Sequence, residues 1–157
     1  MHLSRLLVIV LCATLPLSAC WGKKPKVQQQ PEPARVVMEI QAASDINPNA
    51  EGRPSPLVLR VYELKSMSHF LKADFLSLYE KDENALGREL VRKEEITINP
   101  NEKHTVYFEP KEDTSAVGVF AALRQYDQGR WRVAADVLPN KFLLMHIWVG
   151  GTSIKIQ

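Results

Sequence analysis

The residues of this chain best placed for covalent chemistry form a short run near the N-terminus that ends in a cysteine, Leu17-Ser18-Ala19-Cys20. They follow a basic start and an apolar segment, residues 6–17, and this order of charged, apolar and small residues is typical of a secretory signal peptide. The apolar segment is shorter than the roughly 20 residues that a membrane-spanning helix needs. The sequence therefore predicts that residues 1–19 are cleaved and that Cys20 becomes the first residue.

The same four residues resemble the lipobox of bacterial lipoproteins. In that motif the small residues fit the signal peptidase, the cysteine thiol takes a diacylglycerol, and the new amine is acylated as well. Each buried methylene of an acyl chain contributes about 0.8 kcal/mol to membrane insertion, so several chains make a stable anchor. The resemblance implies a lipoprotein signal peptide and an acylated Cys20. The alternative is an ordinary cleavage that leaves Cys20 as a free thiol.

Catalytic chemistry finds little support elsewhere in the chain. The sequence has no Gly-x-Ser-x-Gly, no His-Glu-x-x-His and no glycine-rich phosphate loop. His69, His104 and His146 lie in different segments without a partner four residues away, so their spacing does not predict a metal site. Asp74 falls on the apolar stripe of a predicted helix, where a helix cap or an ion pair is expected rather than a general acid. We expect no enzyme activity, no cofactor and no small-molecule substrate.

Length and charge favour one domain without affinity for nucleic acid. Removal of residues 1–19 from the 157-residue chain leaves 138, enough for a single domain with its own core. The mature chain carries 19 Lys and Arg against 18 Asp and Glu, and no basic block stands out. Cys12 leaves with the signal peptide, so Cys20 is the only cysteine and no internal disulfide forms. The fold must rest on its apolar core.

Residues 20–33 are predicted to be the acylated cysteine followed by an extended tether. Prolines and glutamines dominate the segment, and proline-rich linkers extend by about 3 Å per residue, so this one reaches roughly 40 Å. By the general sorting rule for bacterial lipoproteins, an Asp after the cysteine retains the protein in the inner membrane. Trp21 stands there instead, which favours the outer membrane and its periplasmic face.

Residues 34–157 are predicted to form a β-sandwich domain. Val36, Met38, Ile40 and Ala42 alternate with more polar residues, as in a half-buried strand. About seven further strands follow, separated by turn signals, and strands joined by short turns pair antiparallel. Between them, residues 66–87 show apolar side chains at three- and four-residue steps and end at Gly87, which predicts a helical insertion. The fold class is therefore all-β, a two-sheet antiparallel sandwich with a small helical insertion.

The connection from Ser44 to Pro56 is unusually long for two consecutive strands, which are commonly joined by two to five residues. Its three prolines restrict the backbone and lower the entropy lost on ordering. It also carries Ile46, Glu51 and Arg53, which are apolar, acidic and basic in turn. Stiff loops of mixed polarity on a rigid scaffold often bind partners. An ordinary surface loop is the alternative, and composition does not separate the two.

Several segments in the right order resemble the TssJ lipoproteins of bacterial type VI secretion systems. The first runs from Asn47 to Leu64 and includes Asn-Pro-Asn-Ala-Glu-Gly-Arg-Pro-Ser-Pro followed by Leu-Val-Leu-Arg-Val-Tyr-Glu-Leu. The others are Ala73–Tyr79, Leu86–Leu90, Val117–Val119, Arg124 and Trp131–Arg132. Two positions depart from the pattern, because Asn49 replaces an expected acid and Asn101 replaces an expected glycine.

The resemblance implies a transthyretin-like sandwich and a non-enzymatic subunit of the secretion membrane complex, which also contains TssL. Such proteins sit in the outer membrane and bind the periplasmic C-terminal region of TssM through the loop between the first two strands. Within that loop Arg53 is the main candidate for the contact, with a structural role as its alternative, and Ile46 is the candidate apolar contact. A lipid-tethered, transthyretin-like ligand binder is the second function. The implied partner-binding residues are Ile46, Asn47, Pro48, Asn49, Ala50, Glu51, Gly52, Arg53, Pro54 and Ser55.

Overall fold

The computed structural model describes residues 32–157, so the predicted signal peptide, Cys20 and most of the predicted tether lie outside the described residues. Eight strands and two helices make up the described range. Short 3-10 turns follow the second helix and the fifth strand. In chain order the elements are β1 Arg35–Ala42, β2 Leu57–Leu64, α1 Ser68–Lys72, α2 Phe75–Leu86, β3 Leu90–Ile98, β4 Lys103–Phe108, β5 Ala116–Ala121, β6 Arg132–Asp136, β7 Phe142–Gly150 and β8 Ser153–Ile156.

The strands form two four-stranded sheets that pack as a sandwich, which confirms the predicted fold class. The β1 sheet has the order β4-β1-β7-β8, and the β2 sheet has the order β3-β2-β5-β6. Neighbouring strands are antiparallel with one exception, the parallel pair of β1 and β7. That pair differs from the prediction because about a hundred residues separate its strands, and no local turn sets their direction.

The alternation predicted for β1 is confirmed, because its apolar set points into the space between the sheets. Val36, Met38, Ile40 and Ala42 are at most 2% exposed, whereas Glu39 and its outward-facing neighbours are not buried. All eight strands contribute to this main core. Its members include Leu57, Leu59, Val61, Ile98, Val106, Phe108, Val117, Val119, Val133, Met145, Ile147, Val149 and Ile154.

The helical insertion consists of two helices rather than the single one that the apolar spacing predicts. The chain becomes extended at Ala73, and Asp74 then caps α2 by accepting the backbone N–H of Ser77 at 2.9 Å. The Ser77 hydroxyl also donates to the Asp74 carboxylate, at 2.6 Å, and these two hydrogen bonds hold the pKa of Asp74 below its ordinary value. The expectation of a cap at Asp74 is thus confirmed, at the start of a second helix. The predicted stop is also confirmed, because α2 ends at Leu86 and Gly87 has a φ of 52°.

The helices cover the outer face of the β2 sheet and bury a second core there. Its largest members are Tyr62, Phe70, Phe75, Leu78, Leu86 and Phe120. One buried carboxylate, Asp82 on α2, fixes the helix to the sheet. It accepts hydrogen bonds from the Tyr62 hydroxyl at 2.9 Å, from Lys93 Nζ at 3.1 Å and from Arg60 Nη1 at 3.3 Å.

The surroundings of Asp82 perturb its pKa and that of Tyr62. Burial alone would raise the pKa of Asp82, but the hydrogen bonds from Lys93 and Tyr62 and the charges of Lys93 and Arg60 outweigh it. The pKa of this carboxyl is therefore lowered. Burial and the neighbouring Asp82 charge raise the pKa of the Tyr62 hydroxyl far above its ordinary value. The carboxylate thus stays charged and the hydroxyl stays neutral at physiological pH.

Candidate functional site

The connection of residues 43–56 lies at one end of the sandwich, and the described chain enters at the other. The backbone N–H of Asn47 donates to the carbonyl of Gly151 at 2.9 Å, and that of Asn101 donates to Ala43 at 3.1 Å. The connection therefore shares its end with the β3–β4 and β7–β8 turns. The opposite end holds Arg35, the first residue of β1. A strand of this length separates the two ends by about 23 Å.

Ile46 belongs to the main core and is 0% exposed. A side chain with no accessible surface makes no direct contact with a partner in this conformation, so the structure does not support its predicted role as the apolar contact of the loop. Its burial instead folds the start of the loop back onto the sandwich. Ser55 completes the closure, because its backbone N–H donates to the Ile46 carbonyl at 3.1 Å.

Asn47 is the buried polar residue that holds the base of the loop, and it is 4% exposed. Its side-chain amide donates to the carbonyl of Pro56, and its side-chain oxygen accepts the backbone N–H of Arg124, both at 2.9 Å. The Ser55 hydroxyl donates to the backbone carbonyl of Asn47. Asn47 has a φ of 48°, a left-handed conformation that asparagine tolerates better than most residues. It acts as a structural residue that ties the loop to the β5–β6 connection.

The outermost part of the loop is a turn organised by Asn49. The side-chain oxygen of Asn49 accepts the backbone N–H groups of Glu51 at 3.1 Å and Arg53 at 2.8 Å. Its carbonyl accepts the N–H of Gly52 at 2.9 Å, and Gly52 has a φ of 74°, which suits glycine. An aspartate would accept the same two backbone donors. The departure from the family pattern at Asn49 therefore removes a charge without removing the turn.

Arg53 extends from this turn into solvent. Its Nη2 lies 3.5 Å from Glu51 Oε2, and the two side chains are 77% and 64% exposed. Among the described residues its guanidinium makes no hydrogen bond to a carbonyl of the loop, which was the structural role considered as the alternative. Instead, the backbone of Arg53 stabilises the turn: its N–H donates to the side-chain oxygen of Asn49, and its carbonyl accepts the backbone N–H of Asn49.

The structure thus divides the ten predicted contact residues into a buried base and an accessible tip. Ile46 and Asn47 form the base. We call residues 48–55 the loop tip, in which Ala50, Glu51, Gly52, Arg53 and Pro54 are exposed and Pro48, Asn49 and Ser55 are half-buried. The tip presents one acidic and one basic side chain on a backbone restrained by its own hydrogen bonds.

An open groove of about 550 Å³ runs between the loop base and α2. Leu76 and Tyr79, which are 49% and 50% exposed, line one side of it. Arg124 lines the other side and is within 3.4 Å of the Ser55 hydroxyl. Periodicity along the chain gives no signal for this groove, because the elements that line it are far apart in sequence.

The histidines stay apart in the structure. His146 Nδ1 lies 3.1 Å from the exposed Glu39 carboxylate, His104 is 3.9 Å from Glu102, and His69 contacts α2. Within residues 32–157 no group of three or more His, Cys, Asp or Glu side chains is arranged to hold a metal ion. Neither helix of this range is long and apolar enough to cross a membrane.

The fold is shared with solved structures of secretion lipoproteins. The T6SS lipoprotein TssJ1 from Pseudomonas aeruginosa is 35% identical and superposes with a TM-score of 0.76, covering 80% of this chain and 95% of that one. Lip from Serratia marcescens, described as a membrane bound component of the Type VI Secretion System, is 25% identical with a TM-score of 0.73 over 80% and 96%. A chain of a structure described as the Type VI membrane complex is 25% identical with a TM-score of 0.70 over 78% and 97%.

A comparison with curated protein sequences gives no significant match. Residues 34–152 match the model of the family described as "Type VI secretion lipoprotein, VasD, EvfM, TssJ, VC_A0113". The matched range includes β1 to β7, the helical insertion and the complete loop tip. This chain therefore belongs to the TssJ family of type VI secretion lipoproteins.

Proposed function

We propose that this protein anchors the type VI secretion membrane complex to the outer membrane by binding the periplasmic C-terminal region of TssM. In this proposal the acylated Cys20 holds the domain on the periplasmic face of the membrane, and residues 21–33 link the two. The loop tip makes the principal contact with TssM, which in turn assembles with TssL. In this role the protein performs no catalysis, because it serves only to connect the membrane to the partner protein.

The observation that carries this proposal is the placement of the loop tip at the end of the sandwich opposite Arg35. The chain that leads back toward Cys20 leaves the domain at Arg35, whereas Asn47 and Ile46 fix the tip at the far end. A protein that links a membrane to a partner needs its two attachment points on separate parts of a rigid body. The β-sandwich supplies that separation through continuous strands.

The chemistry of the tip suits a specific protein contact. Arg and its bidentate hydrogen bonds are over-represented among residues that dominate binding energies. The exposed pair of Arg53 and Glu51 costs little to separate, because ion pairs in solvent contribute only about 0–1 kcal/mol. Both groups are thus available to a partner that offers opposite charges. The turn held by Asn49 lowers the entropy that the tip loses on binding.

The anchor and the contact can be tested together in cells. We expect Cys20→Ser to abolish acylation, to release the protein from the outer-membrane fraction and to stop secretion. The released protein should still co-purify with TssM, because the loop tip is intact. Lipid on the Cys20→Ser protein, or its continued presence in the outer membrane, would contradict the predicted anchor.

A lipid-tethered ligand binder is the second function, and the groove beside the loop is the observation that favours it. The groove offers about 550 Å³, with Leu76, Tyr79 and Arg124 on its walls. It is open to solvent over its length, whereas small-molecule sites bury most of their ligand. A domain that binds small molecules but recovers no TssM from an envelope extract would support this alternative over the proposed anchor.

A further inference from the structure

The two outer faces of the sandwich differ in what covers them. The helices α1 and α2 pack on the outer face of the β2 sheet and bury Tyr62, Phe70 and Phe120 there. Among the described residues, no helix packs on the outer face of the β1 sheet. That face would be expected to carry polar side chains if it met only water.

The uncovered face instead carries a group of apolar side chains at one end. Val37 of β1 is paired with Tyr107 of β4 on one side and with Leu144 of β7 on the other. Phe142 lies two residues before Leu144, on the same face. Tyr107 is 59% exposed, Phe142 62% and Leu144 43%. We call Val37, Tyr107, Phe142 and Leu144 the outer patch.

The outer patch lies at the end of the domain where the described chain enters. Phe142 is paired with Arg35, the first residue of β1, and the backbone N–H of Arg35 donates to the Lys141 carbonyl at 3.1 Å. Leu138, in the neighbouring β6–β7 turn, is 60% exposed. These residues therefore lie beside Arg35, close to the point from which the described chain leads back toward the predicted anchor.

We propose that the outer patch rests on the lipid surface into which Cys20 is acylated. This inference depends on the acylation of Cys20 in the proposed function. Only eleven residues separate Cys20 from Glu32, so the chain between them spans at most about 40 Å and keeps the patch close to the bilayer. Tyr and Phe suit the boundary between headgroups and acyl chains, where an apolar ring is buried while a hydroxyl stays hydrated.

Contact through the outer patch would orient the domain as well as strengthen its attachment. The patch lies at the Arg35 end of that face, so a contact there leaves the opposite end, with Asn47 and the loop tip, away from the point of contact. A tether alone would let the domain rotate freely. The patch therefore adds a directional restraint to the acyl anchor, and the loop tip is presented to a partner that approaches from the periplasm.

The contact can be measured with the mature, acylated protein in vesicles of phosphatidylethanolamine and phosphatidylglycerol. Because Cys20 is acylated, Lys141→Cys supplies the single free thiol for an environment-sensitive dye beside the patch. Arg53→Cys supplies the matched site at the opposite end. We expect a blue-shifted emission and at least a threefold stronger quenching by headgroup nitroxide lipids at position 141 than at position 53. Tyr107→Ser with Phe142→Ser should remove the difference, and since both side chains are exposed the melting temperature should stay near that of the parent.

Equal quenching at the two positions, with lipid on Cys20 confirmed by mass spectrometry, would overturn this inference alone. If the emission at position 141 is blue-shifted but is not quenched by the nitroxide lipids, and the shift disappears on dilution with lipid, a second copy of the protein covers the patch. That result would also overturn the inference. Absence of lipid on Cys20 would overturn the inference together with the anchor. Strong quenching in a protein that fails to bind TssM would support the inference and contradict only the proposed partner.

Discussion

The side-chain oxygen of Asn47 accepts the backbone N–H of Arg124 at 2.9 Å, which joins two residues 77 positions apart in the chain. The same amide donates to the Pro56 carbonyl. Through this one side chain the β1–β2 loop is fastened to the β5–β6 connection. The direction in which the loop tip points is therefore set by a buried polar residue, and the tip itself remains free to meet a partner.

Asn47→Ala should lower the free energy of unfolding by about 2–3 kcal/mol, because it leaves partly buried groups of Arg124 and Pro56 without a partner. Asn140 is the matched control, since it also has a positive φ, of 57°, but is exposed. Asn140→Ala should cost about 1 kcal/mol through its backbone alone. Denaturant unfolding measures both variants. Equal losses would show that the side-chain hydrogen bonds of Asn47 contribute nothing.

Asp82→Ala should destabilise the protein by about 3 kcal/mol, because it removes the buried acceptor of the Tyr62 hydroxyl and leaves Lys93 and Arg60 only their exposed partners, Glu83 and Glu95. Glu83 is the control, since it pairs with the same Lys93 at 3.3 Å while being 74% exposed. Glu83→Ala should cost less than 1 kcal/mol. If the two substitutions have similar effects in thermal unfolding, the buried cluster does not secure α2.

The lowered pKa of Asp82 gives a defined dependence of stability on pH. The folded state keeps this carboxyl ionised to a lower pH than the unfolded state does. The contribution of Asp82 to the free energy of unfolding is therefore complete above the ordinary carboxyl pKa of about 4. It is lost as the pH falls further, through the lower folded pKa. The stability gap between the wild type and Asp82→Asn should therefore narrow on acidification below about pH 4. A gap of constant size in acid would contradict the assignment.

Local patterns predicted strands such as β1 and β4 because buried apolar residues alternate there with more exposed ones. The bounds of β1 and β2 follow directly from residues such as Val36, Met38 and Leu57. The helical insertion was predicted as one helix, because the apolar spacing continues through Asp74 even though the chain is extended beside it. Spacing reports which residues face the core, but a cap within the stripe interrupts the helix without disturbing the spacing.

The candidate site was predicted in position but not in its division of roles. Sequence composition identified the long loop, but it could not indicate that Ile46 folds back into the core, since burial there depends on residues far along the chain. The groove beside the loop and the hydrogen bond from Arg124 are tertiary in the same sense. The family resemblance implied ten contact residues, and those of the loop tip, residues 48–55, remain as the proposed contact.

Arg53→Ala should weaken the binding of TssM by about tenfold or more, because an exposed Arg at the centre of a contact often contributes over 1 kcal/mol. The free energy of unfolding of this variant should change by less than about 0.5 kcal/mol, since the Arg53 side chain is 77% exposed. Arg88 is an exposed arginine in the 3-10 turn after α2 and serves as the control. Arg88→Ala should leave the dissociation constant unchanged. Equal effects of the two variants would point to general electrostatic attraction rather than a contact at Arg53.

The most direct test of the proposed function is calorimetric titration of the periplasmic C-terminal region of TssM with a protein that lacks all of the loop tip except Ser55. The mature chain, without acyl groups, should have residues 48–54 replaced by a short glycine-containing turn. Ile46, Asn47 and Ser55 must be kept, because they close the base of the loop. Loop-closure entropy changes slowly with length, so the melting temperature should stay within a few degrees of the wild type. We predict that this folded variant loses at least a hundredfold in affinity for TssM, whereas wild-type affinity in the folded variant would contradict the loop tip as the contact.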